Sequence, residues 1–491
     1  MGPQQALAET GCMESSPEAK LTCDQAIFTS VRTPMGEGYR IISASRGLRP
    51  DEKQTITTHS PSHEGLCAAT PESDAHVAGV QAVAFYALPS GRLCATVSCF
   101  AGAEHTGRGG QRVYTYCIAF NEQDFARVGF NPFNVFRAMI DAGVASPVLK
   151  PAPVLEELDL KVSCAVFCAA GLQVHPALSS GPGCYVLRRL LEERSVIVNV
   201  KEPWLEAAEV LLFGLPGPIR AKASFAAGMR FSLGRRLHLH LLHDDTGQAK
   251  MRIKGQQIEY IDPDTCSDSD KESSAWLSFV DRHWVSGDTT TLARRTSQEF
   301  TDTSSPALER IGGLYRLIDE IQNIETNHLL GMAIEHLHMQ SDGVEQGIID
   351  ELVDKAGRAL SQRFAATTWV QLKSHWDIVV SSWKQSEKTA GFVQPLMEQA
   401  LRTAMRSDPL AAAWAALDIA PNVSTGDAET PLSGLIDEIL NRLTSVAKHV
   451  KDEEREQIRQ VCSRWQRYRS GCPIIDSIFE VLDTQDVPAS S

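Results

Sequence analysis

Residues 80–100 read VQAVAFYALPSGRLCATVSCF, two apolar, β-prone runs (80–88 and 92–100) flanking Pro89-Ser90-Gly91. Pro and Gly stand where a chain must reverse, so this stretch predicts a β-hairpin. Working outward, RVYTYCIAF (112–120) predicts a further strand downstream. Upstream, QAIFTSVR (25–32) and GYRIISAS (38–45) predict another hairpin around TPMGEG. Between and after the strands come short helices. Asn121 is placed to cap EQDFARVG, and Asn131-Pro132 opens PFNVFRAMIDAG, with Phe133, Phe136 and Ile140 on one face.

The two prolines of KPAPV (150–154) mark a boundary at about residue 150. Strand character resumes in KVSCAVFC (161–168) and in SVIVNV (195–200), with helices expected over 182–194 and 202–213. GLPGPIR (214–220) reads as a turn, ASFAAGMRFS and RRLHLHLLHDD as strands, and KGQQIEYI (254–261) as a short hairpin. From about residue 276 the apolar period becomes helical, in segments of ordinary helix length, and eight to ten helices are expected. The fold class is therefore α+β: mixed, mostly antiparallel sheet in the first half and an all-α second half. The divisions expected are a disordered tail over 1–22, an α+β domain over 23–150, a second α+β subdomain over 151–262, an acidic linker over 263–274 and a helical domain over 275–485.

The 491 residues carry 47 Lys+Arg and 61 Asp+Glu, a formal net charge of −14. Residues 271–491 hold 22 of the bases and 32 of the acids, so most of the acidity belongs to the helical half. Binding to nucleic acid needs clustered cations, so a nucleic-acid-coating role is not expected. No apolar run approaches the length of a membrane span, and no membrane association is expected. The amino terminus lacks a basic start followed by an apolar stretch, which predicts a cytoplasmic location without a secretory signal. The 12 cysteines include no Cys-x-x-Cys and sit mostly in apolar runs, as buried thiols would.

Four stretches have chemical character. His238-Leu-His240-Leu-Leu-His243-Asp244-Asp245 places two imidazoles on one side of a strand and a third at its end, a set able to take Zn²⁺ in a metal-dependent hydrolase. The plainer reading is a half-solvated antiparallel strand with Leu inward and His outward. The glycine-rich Gly102–Gln111 segment lacks a phosphate-binding order and joins two strands; Glu104, His105 and Arg108 are its candidate contact residues. Trp369, Trp376 and Trp383 fall seven apart, as a core stripe or a docking face. The arginines of EREQIRQVCSRWQRYR (454–469) read as a solvated helix face. No nucleotide fingerprint or nucleophile elbow occurs, and no cofactor or catalytic residue is assigned.

The first hairpin carries Phe28-Thr29-Ser30, Gly38-Tyr39-Arg40-Ile41, and Ser43, Ser45, Gly47 and Leu48; further on stand Arg112-Val113-Tyr114-Thr115-Tyr116, Asp124-Phe125 and Asn131-Pro132-Phe133. In these motifs the chain resembles the amino-terminal domain of bacterial GTPase-associated adaptor proteins, encoded beside a small GTPase in systems attributed to biological conflict and defence. Leu215-Pro216-x-x-Ile219-Arg220 and Ser224-Phe225-x-x-Gly228 are similar to a later part of that architecture, extending the resemblance over roughly 25–260. The resemblance implies an intracellular adaptor that couples a small GTPase to effector modules through protein–protein binding, and it supplies no catalytic residues. Arg40, Ser43 and Ser45, with Thr29 and Ser30, are the polar members that would line a groove at a sheet edge. The alternative is the metal-dependent hydrolase built on His238, His240 and His243.

Overall fold

The computed structural model describes residues 18–33, 36–67, 79–104, 110–144, 146–148, 150–164, 178, 181–201, 203–244, 246–265, 274–341, 343–423 and 431–484. The division between two compact units falls between Gly313 and Leu314.

In the first unit the chain forms β1 (Glu18–Thr33), β2 (Gly36–Ser45), α1 (Pro50–His59), β3 (Ala82–Ala87), β4 (Leu93–Ala103) and β5 (Gln111–Phe120). Then come α2 (Glu122–Arg127), α3 (Pro132–Asp141), β6 (Val154–Leu155), β7 (Leu158–Ser163), α4 (Gly181–Leu191), β8 (Ser195–Asn199), α5 (Trp204–Phe213) and α6 (Gly217–Lys222). They are followed by β9 (Phe225–Ala227), β10 (Leu239–Leu242), α7 (Gln248–Arg252), β11 (Ile258–Ile261), α8 (Ala275–Ser286) and α9 (Thr289–Thr296).

One sheet holds all the strands, in the order β11-β8-β10-β9-β3-β4-β5-β1-β2-β6, with β7 paired to β1. Its antiparallel part is the one read from the hairpins: β1 pairs β2 and β5, β3 pairs β4, and β4 pairs β5. Glu18–Cys23 pairs with β7, so residues 18–22 are strand and not tail. The Pro-rich segment at 150–154 does not interrupt the sheet, because β6 and β7 both join strands from before it and β9 pairs β3.

The other end of the sheet is parallel: β8 pairs β10 and β11, and β10 pairs β9, all in the same direction. The expected hairpin at KGQQIEYI is thereby corrected, since β11 returns parallel to β8. The GLPGPIR turn is corrected as well: Pro216 caps and Pro218 enters the first turn of α6, where its missing N–H is not needed. Parallel pairing requires a crossover element, and α5 and α6 between β8 and β9 supply it. Both faces of these strands are covered, which is why Val196, Ile197 and Val198 are apolar in succession and all buried.

A core lies on each face of the antiparallel part. Ile56 of α1 packs with Ala84, Tyr86, Cys94 and Cys117. Phe85 and Phe225, from the opposite strand phase, meet Phe125 of α2 and Phe133 of α3 at ring separations of 5.1 and 5.6 Å. Asn131 caps α3 by accepting the amides of Phe133 and Asn134 at 2.9 and 3.3 Å. Asn121 precedes α2 without a side-chain cap bond, and Ile140, expected inside with Phe133 and Phe136, is 40% exposed.

The second half is helical: α10 (Ser305–Glu320) spans the division, followed by α11 (Thr326–His338), α12 (Gly343–Ala366), α13 (Trp369–Trp383) and α14 (Glu387–Ser407). The chain continues through α15 (Pro409–Leu417), α16 (Ala420–Val423), α17 (Pro431–Ala447), α18 (Asp452–Trp465) and α19 (Pro473–Thr484). Twelve α-helices thus begin at or after Ala275 among the described residues, more than the eight to ten expected, because short turns such as α9 and α16 escape a periodicity reading. Trp369 and Trp376 are core residues, edge-to-face at 5.9 Å, and Trp376 donates its indole N–H to Asp418 at 2.9 Å. The arginines near the carboxyl end pair with acids: Arg459 with Asp483 at 2.7 Å, and Arg469 with Asp437. Most of the expected linker, residues 266–273, lies outside the described residues.

Candidate functional site

The candidate residues of the first hairpin are distributed by a β-bulge. Ile27 faces Ser43 and Phe28 faces Ile41, so Ile42 is an extra residue on β2. A bulge of this kind shifts the alternation by one. Simple alternation would put Tyr39, Ile41, Ser43 and Ser45 on one face. The bulge instead keeps Tyr39, Ile41 and Ala44 against the core and turns Ser43 and Ser45 to the face that Arg40 occupies.

Ser43 and Ser45 are not open to a ligand. The Ser43 hydroxyl donates to the carbonyl of Ala152. The Ser45 hydroxyl donates to the carbonyl of Glu156 at 3.1 Å and accepts the Gln25 amide at 2.9 Å. Gln25 adds a 2.6 Å bond to the same Glu156 carbonyl. These bonds seat the 152–156 segment, whose β6 pairs with β2 only at Ala44 and Ser45. Over Gly38–Ile42 no described strand pairs with β2 on the side away from β1. Arg40 lies within that stretch and is exposed.

Glu104 lies on the other face. Its side chain is fully buried and accepts from the Ser30 hydroxyl at 2.7 Å and the Tyr39 hydroxyl at 2.6 Å. His63 Nδ1 stands 4.0 Å from the same carboxylate. Tyr39 in turn accepts the Val113 amide at 3.1 Å. Burial, and then the bond to Glu104, push the Tyr39 phenol well above its ordinary range, so it is a fixed donor. The Glu104 amide donates to the Gly110 carbonyl at 3.1 Å, closing the base of the loop between β4 and β5. His105 and Arg108 lie outside the described residues. Glu104 therefore anchors the loop from one face of the sheet, while Arg40, Ser43 and Ser45 occupy the opposite face; the candidates do not form one groove.

A second charged network escaped the sequence reading. Arg92, in the turn between β3 and β4, donates to Asp24 at 2.6 Å and to both oxygens of Glu52 at 3.0 and 2.6 Å. The Ser90 hydroxyl and the Arg49 amide also donate to Glu52, at 2.5 and 2.8 Å. Burial alone would raise the Glu52 pKa, but these donors, Arg92 first, overcome it and hold the carboxyl at about 2. A Cβ on Gly47, just after β2, would stand 2.5 Å from the Asp24 carboxylate oxygens, so a larger residue there would have to push that carboxylate off its bond with Arg92. Arg92 sits in the PSGR turn, a position that signalled a reversal and nothing of the carboxylates it joins.

The three imidazoles of the second candidate are differently employed. His238, just ahead of β10, accepts the Ser224 amide at its Nδ1 (3.1 Å). His240 is 2% exposed, edge-on to Phe231 at 5.1 Å, and its Nε2 has no hydrogen-bond partner among the described residues. Burial, reinforced by the charge of Arg235, pushes its pKa down to about 3. His243 is exposed. The expected water-facing histidine strand is thus corrected: β10 lies between β8 and β9 and is covered on both sides. Among the described residues no three His, Cys, Asp or Glu side chains stand together as metal ligands.

With this geometry in place, the comparisons bear on the antiparallel part. Residues 22–159 match the family described as GTPase-associated protein 1, N-terminal domain type 2. The match supports a GTPase-associated protein domain. It runs from β1 to the start of β7 and contains Arg40, Ser43, Ser45 and Glu104. It ends well short of residue 260, so the Leu215–Arg220 and Ser224–Gly228 motifs lie beyond it. In the structure Arg220 is fully buried and donates to the carbonyls of Leu212 and Leu215 at 3.0 Å each and to Thr296 and Ser297 at 3.0 and 3.2 Å, a packing role. No curated protein and no solved structure matches the chain. No helix among the described residues is long and apolar enough to cross a membrane.

Proposed function

We propose that this protein is a cytoplasmic adaptor that couples a small GTPase to effector components of a bacterial conflict or defence system by protein–protein binding. The observation that carries the reading is the match of residues 22–159 to a GTPase-associated domain. The open edge of β2 supports it physically. An unpaired strand edge presents backbone donors and acceptors that a partner strand can complete, with side chains such as Arg40 setting specificity. The acidic helical half suits a second partner with a basic surface, since complementary charge raises association rates and rejects wrong partners.

The test is co-expression of the full chain with any small GTPase whose gene is found beside its own, followed by size-exclusion chromatography with GDP and with a non-hydrolysable GTP analogue. A stable complex in at least one nucleotide state is expected, weakened about tenfold by Arg40→Glu. Failure to co-elute in either state removes the GTPase from the reading. Co-elution that Arg40→Glu leaves unchanged keeps the adaptor and removes the β2 edge.

A further inference from the structure

In open α/β sheets, ligands ordinarily bind outside the carboxyl ends of the parallel strands. Here that place is filled by the chain itself. After β9, the Gly228 carbonyl accepts the Cys67 amide at 2.9 Å, and the Arg230 amide donates to the Gly65 carbonyl at 3.0 Å. A cavity of about 280 Å³ opens instead beside the amino ends of β8, β9 and β10. We propose that this cavity binds a small amphipathic zwitterion, an α-amino acid with a branched aliphatic side chain.

The cavity's walls divide by chemistry. Leu190 and Leu191 at the end of α4 and Ile219 of α6 supply apolar surface, and Glu193, Lys222 and His238 supply the polar groups. Its volume lies just below the roughly 300–1,000 Å³ of small-molecule pockets, which limits the occupant to a small ligand.

The state of His238 follows from its neighbour. A backbone amide can only donate, so the Ser224 N–H fixes His238 Nδ1 as an acceptor and leaves the ring proton on Nε2. Burial lowers the pKa of the ring, which keeps this neutral tautomer at pH 7. His238 is therefore a hydrogen-bond donor with a defined orientation, and Nδ1 is not available to a metal. A ligand carboxylate would take the Nε2 proton and pair with the Lys222 ammonium, which has no salt-bridge partner among the described residues. A ligand ammonium would pair with Glu193.

Glu193 is placed by the end of its helix. It adopts φ 56°, the left-handed region, between α4 and β8. That conformation ends α4: the Glu193 and Arg194 amides donate to the Leu190 and Arg189 carbonyls at 3.1 and 2.9 Å, and this helix cap carries Glu193 to the cavity wall.

The test is isothermal titration calorimetry of the full-length protein with L-leucine, 4-methylpentanoate and 3-methylbutylamine. L-leucine is expected to bind saturably and more tightly than either of the other two. Lys222→Met should weaken L-leucine and 4-methylpentanoate about tenfold. Glu193→Gln should weaken L-leucine while leaving 4-methylpentanoate unchanged. Both residues are exposed, and an unchanged thermal midpoint in each variant shows that folding is intact. His238→Gln, which keeps a side-chain donor, should retain more affinity than His238→Phe. The proposal is overturned if L-leucine shows no saturable heat up to about 10 mM. It is overturned equally if Lys222→Met and Glu193→Gln bind as the parent does, or if 4-methylpentanoate binds as tightly as L-leucine.

Discussion

Strands β2 and β10 look alike in sequence: GEGYRIISAS and HLHLLH both intersperse polar with apolar residues. They have opposite fates. β2 lies near one end of the sheet, paired beyond β1 only at Ala44 and Ser45, and its Arg40 is exposed. β10 lies between two parallel neighbours, and its His240 is 2% exposed. Alternation marks a strand and its two faces, but position in the sheet decides whether the polar face meets water. The two regions also handle buried polar groups differently. In the antiparallel part, carboxylates are collected by side chains: Glu104 by Ser30 and Tyr39, and Glu52 by Arg92 and Ser90. In the parallel part, buried cations donate largely to backbone: Arg220 to Leu212 and Leu215, and Arg235 to the Arg230 carbonyl at 2.6 Å.

The strongest way to break this contrast is Arg220→Met. It removes every donor that Leu212, Leu215, Thr296 and Ser297 share, and urea unfolding is expected to show a loss of about 3–5 kcal/mol. A loss under about 1 kcal/mol would mean that the backbone acceptors find other partners. Arg92→Met is the counterpart in the antiparallel part. It leaves Asp24 and Glu52 buried without their cation, with an expected cost of about 2–4 kcal/mol at pH 7.

The acid response sharpens the comparison further. Glu52 is held at about 2 against an ordinary 4.5, so its contribution is complete above about 4.5 and is lost as the pH falls towards 2. His240 acts through the opposite protonation state. Neutral in the folded protein, with a pKa of about 3 against 6.5, it lets the unfolded chain bind the extra proton, so stability falls as the pH drops from about 6.5 towards 3. His240→Leu should flatten the pH dependence between about 6.5 and 4.5, and Arg92→Met should flatten it below about 4.5; thermal midpoints across pH separate the two. If either variant keeps the parent profile, the corresponding group does not control that window.

Smaller effects belong to the β2 edge. Ser45→Ala removes the bonds to Glu156 and Gln25 and is expected to cost about 1 kcal/mol, with faster amide exchange around 152–156. Arg40→Glu should change stability by no more than about 0.5 kcal/mol while weakening GTPase capture. A stability loss as large as that of Ser45→Ala would place Arg40 in the scaffold.

Much of the antiparallel part was legible because its signals are local. Turn residues bounded β3 and β4, and Asn131-Pro132 marked the start of α3. The parallel part was legible only as strands. Nothing within KGQQIEYI says that β11 pairs with β8 some 60 residues earlier, at Ile258 with Ser195. Among the candidate residues, Glu104 reads from sequence as a loop contact, but its side chain is buried against Ser30 and Tyr39, which come from other strands. Ser43 and Ser45 belong to a groove by their polarity alone; the structure spends both hydroxyls on the 152–156 segment, on the face to which the extra residue at Ile42 turns them.

By itself, the sequence determined the hairpins of the antiparallel part, the start of α3, the switch to helices in the second half, and that the acidity belongs to that half. These follow from short-range sterics, hydrophobic period and composition, which need no knowledge of neighbours. The tertiary structure alone decided strand order, the phase shift at Ile42, the burial of His240 and the convergence of Asp24, Glu52 and Arg92. Each of these depends on which distant segments become neighbours, and burial, hydrogen bonding and pKa are properties of that neighbourhood and not of the residue.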